Sequence, residues 1–191
     1  MDPKILIPVI IVVAAFIILA AVLITRQRKS KHLKQQFGPE YDRAVVQHGD
    51  AHHAEAVLID REKRVEKFSL RPLTPSDRER YAEDWAAVQR RFVDDPSNAV
   101  NQADTLVNTV LAARGYPVGE AEQQVADISV NYPSLVQNYR AARVVMLRHS
   151  QGQSSTEDLR LAMVNFHSLF DELLETAKPQ RVGDSHERLA S

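Results

Sequence analysis

The sequence contains no cysteine. That absence removes disulfides, thiolate metal sites and a cysteine nucleophile together, and it suits a reducing compartment. Glycine is scarce at six residues, and aromatic residues make up only 6% of the chain, with a single tryptophan. No stretch alternates apolar and polar residues between turn signals, so β-strands have no signature here. Nor do the few glycines build a phosphate-binding loop. Gly115 and Gly119 stand four apart, but no Gly-Lys-Ser/Thr follows them. Gly152-Gln153-Ser154 lacks the second glycine of a nucleophile elbow and any strand ahead of it.

Net charge is nearly absent too, with 24 Lys and Arg against 25 Asp and Glu. The balance hides a segregation. Residues 1–37 hold Lys4, Arg26, Arg28, Lys29, Lys31 and Lys34 against Asp2 alone, a charge of +5, which leaves −6 on residues 38–191. An acidic domain repels a phosphate backbone, which argues against nucleic acid as a partner.

What the chain does have is one long apolar run. Ile5 to Ile24 is uncharged throughout. As a helix it spans about 30 Å, the thickness of a bilayer's hydrocarbon core. Pro8 falls in the first turn, where its missing N–H costs little. The run exceeds the apolar region of a cleaved signal peptide, ~7–15 residues, and no Ala-x-Ala-like site follows it. The expectation is an uncleaved, single-pass transmembrane anchor over residues 1–25. Arg26, Arg28, Lys29, Lys31 and Lys34 follow directly, and basic residues resist translocation. The predicted topology is N-terminus outside and C-terminal domain cytoplasmic, in the cell membrane. Those five cations are also the candidate membrane-surface residues, each worth ~1 kcal/mol beside anionic lipid.

Residues 26–69 read as the basic flank and a polar, membrane-proximal stalk helix, opened near Pro39 and weakened at Gly49. Its apolar residues are too few for a core element. Thr74-Pro75-Ser76-Asp77 then supplies a cap, a proline at the first helical position and an acid in the first turn. Tyr81, Trp85, Val88 and Phe92 follow at helical spacing. Asp95-Pro96 starts a second helix, with Val100, Ala103, Val107, Val110 and Leu111 on one face, ended by Gly115 and Pro117. A short helix is predicted over about Glu120–Ile128. Another opens at Pro133 with Leu135, Val136, Tyr139, Ala142 and Met146 inward. The last starts from a capping box at Ser154–Glu157 or Ser155–Asp158 and carries Leu159, Met163, Phe166, Phe170 and Leu173. The fold class is all-α: one N-terminal transmembrane helix, a polar stalk helix, and a four- to five-helix bundle over 70–175. Residues 176–191 show no apolar period and read as a flexible tail.

Four strings, Phe37-Gly38-Pro39-Glu40-Tyr41-Asp42-Arg43, Phe92-Val93-Asp94-Asp95-Pro96, Arg114-Gly115-Tyr116-Pro117 and Ser155-Thr156-Glu157-Asp158-Leu159-Arg160, resemble those of an uncharacterised bacterial family of membrane-anchored helical proteins. The resemblance covers about 37–175. It implies an apolar N-terminal segment, a basic flank and a helical domain, and it implies no activity.

The remaining chemical candidates each have a structural competitor. His48 and His52 would share one face of a continuous helix, as metal ligands do, with His53, Asp50 and Glu55 nearby. Against this, Gly49 weakens the helix, no third ligand is fixed by spacing, and a solvated stalk explains the segment. Asp94-Asp95 sits at a helix start, where the macrodipole favours acids. Tyr81, Trp85 and Phe92 would line a ligand pocket or form plain core, and core is the commoner outcome. Arg140, Arg143 and Arg160 would form an anion site or pair with acids on the surface. No metal, cofactor or small-molecule ligand is therefore expected. The predicted function is a membrane-tethered helical protein-interaction module, a scaffold or adaptor without catalytic activity. Its partners are the lipid bilayer and an unidentified protein. The alternative is a membrane-anchored small-molecule or metal-sensing domain.

Overall fold

The computed structural model describes residues 3–175, with side chains from residue 16 onward except Val22. The tail expected at 176–191 lies outside the described residues. Eight helices and no strand occur among them, so the chain is all-α. They are α1 (Pro3–Phe37), α2 (Pro39–His48), α3 (Ala51–Val65), α4 (Pro75–Arg91), α5 (Pro96–Ala113), α6 (Ala121–Asn131), α7 (Val136–Ser150) and α8 (Thr156–Glu175).

Their ends follow local chemistry. Thr74 Oγ1 accepts from the Asp77 amide at 3.1 Å, and Asp95 Oδ1 from the Asn98 amide at 3.1 Å. Pro75 and Pro96 then occupy first positions that need no amide. At α8 the capping box is Ser155–Asp158, with Ser155 Oγ accepting from the Asp158 amide at 3.1 Å and Asp158 Oδ2 from the Ser155 amide at 2.8 Å. The helix expected from Pro133 begins at Val136, because residues 132–135 form a turn first.

The larger of two apolar clusters lies among α4 to α8. It buries the expected stripes: Tyr81, Trp85 and Val88 from α4, Val100 to Leu111 from α5, and Leu159 to Leu173 from α8. The Trp85 ring stacks on Phe170 at 4.6 Å between centroids and on His167 at 5.0 Å. Tyr139 meets Phe166 edge-on at 6.0 Å. Each such side chain taken out of water contributes roughly 1.5–3 kcal/mol, and the paired rings add to it.

The segment expected to be a solvated stalk is packed instead. Gly38 (φ 47°) turns the chain so that α2 folds back beside α1, and Gly49 (φ 83°) turns it again into α3. Leu33 and Phe37 of α1, Tyr41 and Ala44 of α2, Ala54, Leu58 and Val65 of α3, and Val130 of α6 form a second buried cluster. The stripe is thin on any one helix, but three helices and α6 pool it into a core. Phe68 and Leu70, in the connection to α4, pack against both clusters. That connection is pinned to the end of α5, where Arg71 donates its amide to the Arg114 carbonyl at 3.0 Å and Nε to the Ala113 carbonyl at 2.8 Å. Gly115 (φ 92°) lies directly against it. A Cβ there would meet the Ser69 carbonyl oxygen at 2.4 Å.

Among the described residues no helix is long and apolar enough to cross a membrane. The expected span over Ile5–Ile24 falls largely on side chains outside the described residues, those of 5–15 and Val22. Its remainder belongs to the unbroken helix α1, and Phe16, Ile17, Ile18, Leu19, Leu23 and Ile24 are exposed there, from 71% at Phe16 to 50% at Ile24.

Candidate functional site

The two clusters meet at a buried carboxylate. Glu40, in the first turn of α2, is only 1% exposed. One oxygen accepts from Arg61 Nη1 at 3.0 Å and from Arg140 Nη2, and the other from Gln137 Nε2 at 2.8 Å. Arg61 Nη1 also reaches Ser129 Oγ at 3.3 Å, and that hydroxyl donates to the Ala126 carbonyl at 2.6 Å. Helices α2, α3, α6 and α7 thus share one charge-assisted joint. Alongside it Asp127, 2% exposed, accepts from Arg64 Nε at 3.0 Å and from Gln123 Nε2 at 2.9 Å. A carboxylate this buried is tolerable only because its oxygens are fully engaged.

A polar cleft of about 460 Å³ opens beside this joint, with His48, Asp60, Arg61, Arg64, Glu120 and Glu122 on its walls. Its two arginines are already committed to Glu40 and Asp127. The nearest thing to a nucleophile–base pair lies elsewhere, at Ser154 Oγ and His149 Nδ1, 2.8 Å apart. It ties together the turn between α7 and α8, and neither residue borders this cleft.

The five candidate membrane-surface residues all lie on α1, just past Ile24. At ~100° per residue, Arg26, Arg28, Lys29, Lys31 and Lys34 point around the whole circumference of the helix, a collar rather than a stripe. Lys34 lies over the Tyr41 ring, 5.2 Å from its centroid. Arg26 and Lys29 border a second cleft, of about 430 Å³, between α1 and the first turns of α3. Two of its lining residues are tied to Tyr41, which donates to Glu55 Oε1 at 2.8 Å and lies 3.5 Å from Ser30 Oγ. Higher on the same seam His32 approaches Glu62 at 3.9 Å, and burial pushes the Glu62 carboxyl above its ordinary range.

The other sequence candidates disperse. Gly49 separates His48 from His52, so the shared helical face required for paired ligands does not form. His48 borders the first cleft and His52 the second. His53 binds Asp50, the α3 cap, through both amide and ring and holds that carboxyl down at about 2. No cluster of three or more potential metal ligands occurs among the described residues. Tyr81 and Trp85 are core, and Phe92 packs at its edge. The three arginines pair with different acids: Arg140 with Glu40, Arg143 with Asp104 at 3.0 Å, and Arg160 with Glu157 at 2.7 Å. Sequence reasoning missed Glu40, Asp127 and Gln124. Gln124 is buried inside the bundle, where Nε2 donates to Asn108 Oδ1 at 2.7 Å, and the Tyr139 hydroxyl lies 3.4 Å from each of these two side chains. Burial raises the Tyr139 phenol, and likewise Tyr116, above the usual value.

No protein-family model matches the chain, and no curated protein or solved structure matches it either.

Proposed function

We propose that the protein is a membrane-tethered helical interaction module without catalytic activity, a scaffold or adaptor for a protein partner. Its N-terminus lies outside the cell membrane and its helical domain on the cytoplasmic side. The observation that carries this reading is the two-ended character of α1. One end, Phe16 to Ile24, exposes every large apolar side chain described there to the surroundings, an arrangement suited to lipid. The other end buries Leu33 and Phe37 in the domain, and the cationic collar lies between. Such a helix is an anchor and a structural member at once. The family resemblance carried by the four quoted strings implies the same layout.

The absence of catalysis is inferred from how the polar groups are used. The buried carboxylates and the arginines around them are bonded to one another, which suits a joint better than a reacting centre. Partner binding is favoured by the α7–α8 hairpin. There Val144 and Leu147 on one helix, and Leu161 and Val164 on the other, stay between 46% and 61% exposed. Apolar residues at three-residue spacing on two neighbouring helices suit a helical partner's apolar stripe.

Protease added to intact cells or spheroplasts tests the orientation, and residues 38–191 should survive until the membrane is permeabilised. Digestion without permeabilisation would reject it. Replacing residues 1–25 by an unrelated anchor of the same orientation should preserve function in a deletion strain. Release of the domain from the membrane should impair it, and full rescue by the released form would reject tethering as part of the function.

A further inference from the structure

We infer that the cleft between α1 and the start of α3 is a binding site for the phosphodiester headgroup of an anionic phospholipid, one whose headgroup carries hydroxyls, as phosphatidylglycerol does. This rests on the membrane reading above and specifies which lipid the domain holds. The cleft is lined by Arg26, Lys29 and Ser30 from α1 and by His52, Glu55 and Ile59 from α3.

Height comes first. The apolar run ends at Ile24, so Arg26 lies about 3 Å and Ser30 about 9 Å further along the helix. A headgroup layer is roughly 5–8 Å deep on each side of the hydrocarbon. The cleft therefore opens within that layer at Arg26 and Lys29 and reaches just past it at Ser30. Helix α2 returns beside α1, so the α2–α3 turn, and with it His52, descends to the same level.

Chemistry agrees with height. Arg26 and Lys29 stand three residues apart on one face of α1 and project toward one wall, offering donors and positive charge to a phosphate. Glu55 has one oxygen holding the Tyr41 hydroxyl at 2.8 Å, and its second oxygen has no hydrogen bond among the described residues. A bare phosphate would be repelled by that carboxylate, whereas a headgroup hydroxyl would donate to it. Ile59, with Ala51 and Ala56, gives the cleft an apolar wall for the glycerol backbone. A volume of about 430 Å³ suits one headgroup. Arg28 and Lys31 carry the same charge at the same depth but lie outside this lining. They are the internal control for diffuse attraction.

The test uses the full chain reconstituted into phosphatidylcholine vesicles. Spin-labelled phosphatidylglycerol and spin-labelled phosphatidylcholine are compared by the motionally restricted fraction of their spectra. The unaltered protein should select phosphatidylglycerol. R26Q/K29Q should lose roughly fivefold of that selectivity per cation removed, the worth of one cation beside an anionic lipid. R28Q/K31Q should retain most of it. E55Q should weaken preference for phosphatidylglycerol over phosphatidate without abolishing binding of either. Equal losses in the two double variants would overturn the site and leave only a diffuse collar. Absence of selectivity in a protein that resists carbonate extraction would overturn the site while sparing the anchor. Release by carbonate would overturn the membrane reading itself. Displacement of the lipid by inorganic phosphate in solution would assign the cleft to a free anion, and so also reject the lipid.

Discussion

The α4–α8 bundle and the α1–α3 hairpin beside it are built by different rules. The bundle buries twenty-five side chains in one cluster, Trp85, Phe166, Phe170 and Leu173 among them. The hairpin region has a cluster of eight, one of them borrowed from α6. A core that small supplies little orientation on its own, since apolar contact is not directional. Orientation comes instead from Glu40 and Asp127, whose partners Arg61, Arg140 and Arg64 reach across from other helices. The lesson is a division of labour. Apolar area holds the bundle together, and charge geometry fixes where the small cluster docks on it.

The bundle side of that contrast is tested most harshly at its only tryptophan. Trp85→Ala should lower stability by ~3–5 kcal/mol, the usual range for a large buried aromatic. Denaturant melts followed by circular dichroism would measure it, and a loss below about 1 kcal/mol would place the ring outside the core. The joint comes next. Glu40→Ala strands two arginines that are nearly buried, 13% and 16% exposed at the side chain. A cost near ~3 kcal/mol is expected, the low end for a broken buried pair because the arginine heads retain some water. Hydrogen exchange should show α2 and α3 losing protection while α5 and α8 keep theirs. Uniform loss over all helices would merge the two regions into one cooperative unit.

Between them lies the pinned connection. Gly115→Ala should cost about 2 kcal/mol, since a Cβ in the left-handed region is strained and the Ser69 carbonyl blocks its space. Alkaline pH then acts mostly on the bundle, with a smaller contribution from the Tyr41 phenol of the hairpin region, which burial also raises. Burial raises the phenols of Tyr116 and Tyr139, so above pH ~10 an unfolded chain releases protons that the native one retains. Stability should be unaffected below that value and fall as pH rises beyond it. A double Tyr→Phe variant at these positions should flatten the fall, and an unchanged slope would exclude them as its cause. Smallest of all, Val144→Ser and Leu147→Ser should change stability by less than ~0.5 kcal/mol, being exposed, yet reduce partner capture if the α7–α8 hairpin is the binding face.

Much of the bundle was legible because its signals are local. Caps at Thr74, Asp95 and Ser155 and the stripes of α4, α5 and α8 each lie within one helix, and the structure uses them as read. The hairpin was not legible, for a physical reason. Phe37, Tyr41 and Ala44 keep helical spacing, but Gly38 splits them between two helices, and their neighbours are polar. Glu40 looks like an ordinary first-turn acid, and nothing local reveals a partner one hundred residues away at Arg140. The histidine spacing reads as one helical face weakened at Gly49; the structure makes Gly49 a turn, so His48 and His52 stand on different helices.

The helix α1 enters the domain as part of its packing, with Leu33 and Phe37 fully buried, and not through a loose linker. At ~1.5 Å per residue its 35 residues make a rod of about 52 Å. If its apolar end is held in a bilayer, as proposed above, such a rod denies the domain free tumbling. Copies then differ chiefly in their position in the plane and their azimuth about its normal, so much of the rotational search for a partner is removed before any encounter. The same stiffness makes the rod a lever. A twist or a vertical shift imposed on the N-terminal end of α1 would turn or lift the hairpin as one piece, and the Glu40 joint would carry that torque to α6 and α7.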